Sequence, residues 1–376
     1  MSSPEKKTKP PTKQSPESNP NPSLPNDLVV SCLARVSRLH YPTLSLVSKT
    51  FQSLIASPDL YKTRSLLNRT ESCLYVCLEF LSDPNPRWFT LCQKPNQTLT
   101  KEKSSGYALI PISIPNSPHV QYDRGLVAVG SNIYAIGGTI ENADSSSVSI
   151  LDCRTHMWHE APSMWMKRNQ PAANVLDGKI YVAGGFKDFD DSNWMELFDL
   201  KTQTWELAKR CKSRVFKSTV LEGEIYTSGD KGVAYKPKED RWEAVPVGKY
   251  LRLDVGWGLI CNCVIDNVLY CYNHSVAGIQ HYNSGIRCWI DLKGLEGLPK
   301  FAGYCNVKLV DYGGKMAIFW NTCLPSSSYK SKSIWCAVIS LEKSKTKEIW
   351  GKIEWLDVVL TVPHTSKFVA ALAAIL

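Results

Sequence analysis

The sequence predicts an α+β chain of two units, a small all-α unit over residues 23–68 and a larger all-β unit over residues 71–376. Three observations predict it. Apolar residues between 24 and 67 recur with a helical period. After residue 70 the pattern switches to the alternation of strands. From there a short motif returns at intervals of 59, 47, 45, 44 and 47 residues, the mark of stacked supersecondary repeats. A tail over 1–22, rich in Pro, Ser, Lys and Asn, has no apolar core and is expected to be disordered.

In the all-α unit, Pro25 suits the first helical position, where a missing N–H costs nothing. Asp27 follows in the first turn, at the positive end of the helix dipole. Leu28, Val29, Cys32, Leu33 and Val36 then fall on one face. Pro42 breaks the pattern, and a short turn carries Leu44, Leu46 and Val47. Ser48 is placed to cap a third helix bearing Phe51, Leu54 and Ile55. Ser57-Pro58 ends it, and Asp59 opens a last helix with Leu60, Leu66 and Leu67. A unit this small sits near the lower limit for folding alone. Being apolar on more than one side, it needs a cover, either another polypeptide or the remainder of its own chain.

The repeat consists of a polar turn, an aliphatic–aromatic pair and often a Gly doublet. It reads GSNIYAIGG at 130–138, DGKIYVAGG at 177–185, EGEIYTSGD at 222–230 and DNVLYCYNH at 266–274. Degenerate copies are DYGGKMAIFW at 311–320 and SCLYVCLEF at 72–80. Behind each of the clear copies comes a strand end, a charged turn and a Trp: Trp158, Trp205, Trp242 and Trp289, with a longer version ending at Trp350. Four short strands per copy cannot bury both faces, whereas sheets stacked radially cover one another. The expected architecture is a β-propeller of six blades, with the Trp side chains packing between sheets. The closing strand is expected from the C-terminal part, with Ile353 to Val359 as the candidate.

Charge and motif content exclude several classes. Net charge is +9, spread as +2 on the tail, +3 on 23–68 and +4 over the rest. No basic stripe with interleaved aromatics appears, which argues against nucleic-acid binding. Lys6, Lys7 and Lys9 read as part of a solvated tail ahead of a nuclear address. No apolar run reaches membrane-spanning length; FVAALAAIL near the C-terminus has nine residues. The 13 cysteines are an odd, scattered set, and with no secretory leader they read as reduced intracellular thiols. The sequons at Asn68, Asn96 and Asn273 should then stay unglycosylated.

No nucleophile elbow, phosphate-binding loop or dinucleotide fingerprint occurs, and no cofactor is expected. Cys261, Cys263, Cys271, His274 and His281 lack the matched spacing of a zinc site. His156 and His159 read as exposed turn residues. Asp188, Asp190 and Asp191 read as solvated loop carboxylates.

The order Leu24-Pro25-x-Asp27-Leu28, Cys32-Leu33-Ala34-Arg35-Val36, Tyr41-Pro42-Thr43-Leu44-x-Leu46-Val47-Ser48-Lys49 and Phe51-x-Ser53-Leu54 resembles an F-box. The period, Gly doublet and trailing Trp look like kelch repeats, although Gly229-Asp230 and Asn273-His274 replace the doublet in two copies. Together, and with Arg87-Trp88-Phe89-Thr90-Leu91, they resemble the plant F-box/kelch-repeat family.

The resemblance implies an F-box that docks a Skp-type adaptor, which joins it to a cullin scaffold in an SCF ubiquitin ligase. Leu24, Pro25, Leu28, Val29 and Leu33 would face the adaptor. Leu44, Val47 and Phe51 would be shared between the adaptor and the unit's own core. The propeller would hold a target protein, and the chain itself would catalyse nothing. It would act in the cytoplasm, the nucleus or both. The excursions at 92–118, 186–194 and 321–333 are the candidate target surfaces. Two other classes stay open: a propeller enzyme with residues converging on one mouth, and a cytoskeletal or scaffolding kelch protein.

Overall fold

The computed structural model describes residues 24–83, 85–94, 106–114, 125–140, 143–186, 195–210, 213, 215–229, 232–245, 261–300, 306–323, 330–344 and 348–376. Lys6, Lys7, Lys9, the Asp188, Asp190 and Asp191 group and much of the three long excursions lie outside them.

Helix α1 spans Asn26–Leu33, with Pro25 at its N-cap, one place before the expected first helical position. A 3₁₀ turn, Arg38–His40, leads into α2, Tyr41–Ser45, where Pro42 lies in the first turn rather than ending a helix. Ser48 caps α3, Lys49–Ile55, by accepting from Phe51 N at 3.1 Å. Ser57 caps α4, Pro58–Leu66, and Pro58 takes the first-turn place where no N–H is missed. Each helix has fewer than ten residues, too short to persist in water without tertiary packing.

Six antiparallel four-stranded sheets follow. Blades II to VI are each one chain segment: 126–161, 172–207, 217–244, 262–291 and 308–363. Blade I is composite. Its strands Ser72–Glu79, Arg87–Gln93 and Tyr107–Ile112 are completed on the inner edge by Lys367–Ile375. That last strand is the closure. The expected stretch Ile353–Val359 lies instead in Ile349–Pro363, the outer strand of blade VI. Ala370 and Ala374 are fully buried, and small side chains suit the crowded inner position. The first strands of successive blades touch in a closed cycle, from 367–375 through 126–129, 172–176, 217–221, 262–265 and 308–312 back to 367–375. They therefore line the axis.

The repeated pairs fall in the second strand of every blade: Tyr75, Tyr134, Tyr181, Tyr226, Tyr270 and Ala317. Trp158, Trp205, Trp242 and Trp289 fall in the fourth. Trp205 shows how they work: its ring lies 5.0 Å from Phe198, and Nε1 donates to the Pro162 carbonyl, just past the end of the preceding blade, at 2.7 Å. Trp242 repeats this with the Lys209 carbonyl at 2.8 Å. Two residues before each Trp, at His156, Gln203, Asp240 and Arg287, the backbone is left-handed, with φ of 57°, 59°, 44° and 56°. The doublet glycines answer to crowding. A Cβ on Gly184 would stand 2.0 Å from the Val215 carbonyl oxygen, so only glycine allows that approach.

Under the connection from blade II to blade III lies a fully buried ion pair, Arg168–Glu196, at 2.9 Å. Arg168 also donates to the Gly184 carbonyl at 2.7 Å. Glu196 accepts from the backbone N–H of Trp165 at 2.7 Å. The pair ties a connection to a blade interior.

Candidate docking surface on the helical unit

An even number of antiparallel strands per blade puts every inter-blade connection on one mouth of the ring. The turns between first and second strands, and between third and fourth, lie on the other. The helical unit sits on that second mouth. It enters blade I at Glu71 and touches the 153–156 turn of blade II. Leu33, Ala34, Tyr41, Leu60 and Tyr61 share one apolar cluster with Cys73, Tyr75, Trp88, Leu151, Val369 and Leu376. Part of the unit's apolar surface is thus sealed by its own propeller.

A second part is not sealed. Leu24 is 66 % exposed, Leu28 52 %, Leu46 82 % and Val47 63 %. Pro25 is exposed and Val29 half-buried. Leu44 and Phe51 are half-buried and lean on the shared cluster. Leu33 is the correction. At 4 % exposure it belongs to the interior, because the last turn of α1 packs against α4. Leu24 and Leu28 flank the start of α1, and Leu46 and Val47 are adjacent just after α2; exposed apolar side chains mark an interaction site where they form a contiguous patch.

A polar joint adds to the apolar contact between the units. The Glu71 carboxylate accepts from Ser37 Oγ at 2.9 Å, from the Arg38 backbone N–H and from Arg64 Nη2 at 2.7 Å. Arg64 is 2 % exposed and also donates to the Val36 carbonyl at 2.7 Å and to Tyr41 OH at 3.0 Å. The backbone of Glu71 pairs with Leu376 in both directions, at 2.8 and 2.9 Å. One residue therefore ties the helices to the closing strand. A signal existed: Arg64 lies four residues after Leu60, on the stripe that α4 buries.

His156 departs from the expected exposed turn residue. It is half-buried, with Nε2 3.2 Å from Tyr75 OH, which itself donates to the Cys153 carbonyl at 2.9 Å. Burial, reinforced by the nearby Arg38 charge, pushes its pKa down to about 4. His159 is exposed. Among the described residues no group of three or more His, Cys, Asp or Glu is placed to hold a metal. Cys261 Sγ instead accepts from Leu309 N at 2.7 Å, and burial raises the Cys263 thiol pKa. Among the described residues no helix is long and apolar enough to cross a membrane.

Comparison with known proteins places both halves. The F-box domain family matches residues 22–63, and the FKB95, Kelch-repeats domain matches residues 88–360. An F-box/kelch-repeat protein of Arabidopsis thaliana is 61 % identical over 381 residues, covering 100 % of both chains. A second from the same plant is 56 % identical over 397 residues, covering 99 % of each. A third, named as a putative F-box/kelch-repeat protein, is 53 % identical over 363 residues, with 94 % of this chain and 96 % of its own covered.

Proposed function

Because the chain belongs to the F-box/kelch-repeat family, a family of substrate adaptors, we propose that it is the target-recognition subunit of an SCF-type ubiquitin ligase. The F-box docks a Skp-type adaptor through Leu24, Pro25, Leu28, Val29 and Val47, with Leu44 and Phe51 behind them. Leu33 supports that surface from beneath. The adaptor carries the complex to a cullin scaffold, and the propeller holds a target protein. No bond is made or broken by this chain. It raises the local concentration of target near the transferring enzyme, in the cytoplasm, the nucleus or both.

The observation that carries this reading is the exposed aliphatic set on a helical unit that is otherwise seated. The unit occupies one mouth of the ring, which leaves the inter-blade connections on the other mouth for the target. There Trp165 is 60 % exposed and Phe216 45 %, and large aromatics are the residues that anchor protein interfaces.

The test is co-purification with a Skp-type adaptor. The intact chain should retain it. A variant with Leu24→Asp and Leu28→Asp should lose it while keeping the thermal transition of the propeller. Undiminished adaptor binding by that variant, with the chain folded, would refute the assignment.

A further inference from the structure

The helical unit, blade I and one residue each from blades II and VI line an open-sided cavity of about 240 Å³. Tyr41 and Ile55 line it from the helical side, and Leu91, Ile110 and Tyr312 from the propeller side. Its walls are mostly apolar, yet Arg38, Glu71 and His156 also reach it.

These polar groups are not balanced. The Glu71 carboxylate is occupied by Ser37, the Arg38 backbone and Arg64. The Arg38 guanidinium carries five N–H donors. It makes one hydrogen bond among the described residues, a long one of 3.4 Å from Nη1 to the Cys153 carbonyl. No described carboxylate forms an ion pair with it. The rings of Tyr61 and Tyr41 stand 5.2 and 5.8 Å from its Cζ. Ring faces favour the cation but accept none of its in-plane N–H groups. His156 is held neutral beside it and supplies no counter-charge. The arrangement is a cation with spare donors at the edge of an apolar cavity.

We propose that this cavity binds a small organic monoanion, a carboxylate on a flat apolar body. The carboxylate pairs with Arg38, and the body lies against Leu91, Ile110 and Tyr312. A single free guanidinium matches one negative charge in the bidentate geometry of a carboxylate. A phosphate dianion would bring a second charge into an apolar site without a second cation. Such a ligand touches both units and stabilises their mutual seating by mass action. The site is independent of whether the exposed aliphatic set meets an adaptor.

The experiment titrates the full chain with 2-naphthoate, using 2-naphthamide as the uncharged control, by calorimetry and thermal shift. The expected result is saturable binding of one naphthoate per chain with a raised melting temperature. The amide should bind at least about tenfold more weakly, the value of a charge-assisted hydrogen bond. Arg38→Met should erase the preference for the acid. Ile110→Trp, at a rim position 38 % exposed, should block both ligands without unfolding the chain. Absence of saturable binding at millimolar naphthoate, equal affinity for acid and amide, or naphthoate binding unchanged in Ile110→Trp would each overturn the proposal.

Discussion

Replacing Arg168 by Met should be among the most destabilising single changes in the propeller. Both side chains of the Arg168–Glu196 pair have 0 % exposure. At an effective dielectric near 20, unit charges about 3 Å apart attract by roughly 5–6 kcal/mol, and desolvation offsets much of that. The net worth of the pair is therefore modest, but removing one partner strands the other. Without Arg168, Glu196 stays buried with only the N–H groups of Trp165 and Met166 to solvate it, and the Gly184 carbonyl loses a donor. The expected cost is about 3–5 kcal/mol. Glu196→Leu alone should cost a similar amount, whereas the double variant should cost at least about 2 kcal/mol less than the sum. Urea unfolding followed by tryptophan fluorescence measures all three. A loss below about 1 kcal/mol in Arg168→Met, or strict additivity in the double variant, would refute the reasoning.

Three other outcomes follow from the same geometry. Glu71→Ala should leave Arg64 buried without its carboxylate and loosen the helical unit, read as faster proteolysis of residues 67–71 at an unchanged propeller transition. Removing residues 367–376 should strip the inner strand from blade I and abolish the cooperative transition seen by circular dichroism. His156 titrates near 4 in the folded chain against 6.5 in the unfolded one. The depressed value means stability is lost as pH falls from about 6.5 towards 4, by up to about 3 kcal/mol. His156→Asn should flatten that part of the stability profile, and a ring that charges near pH 6.5 in the folded state would contradict it.

Much of this fold was legible because repeats report themselves through period. Each expected aliphatic–aromatic pair lies on a second strand, each spaced Trp on a fourth, and Ser48 caps the helix it was placed to cap. The closing strand was not legible. Ile353–Val359 has the β-branched and aromatic residues of a strand, whereas Lys367–Ile375 is Ala-rich and its local propensity does not favour one; spacing cannot say which of them meets a strand some 290 residues earlier, as Phe368 meets Leu78. Leu33 failed for a related reason. A helical stripe marks which residues want cover but not whether the cover comes from within, and α1 divides its stripe between the two. His156 and Glu71 carry no periodic signature, and the stripe position of Arg64 does not name its partner. Their environment is made by elements far apart in sequence, which only the assembled ring brings together.

The composite first blade also has a consequence in time. Its innermost strand leaves the ribosome after every other strand of the ring. At about 5–20 residues per second, the helices and the edge of Ser72–Glu79 wait for some tens of seconds before their lid arrives. Val369, Ala370, Ala374 and Leu376 belong to the cluster on which the helices rest, so a nascent chain halted by a premature stop would present both a bare strand edge and an unseated F-box. Such an edge invites pairing with other chains. The cell would then meet a sticky fragment that chaperones must hold or proteases remove, and not a half-working receptor.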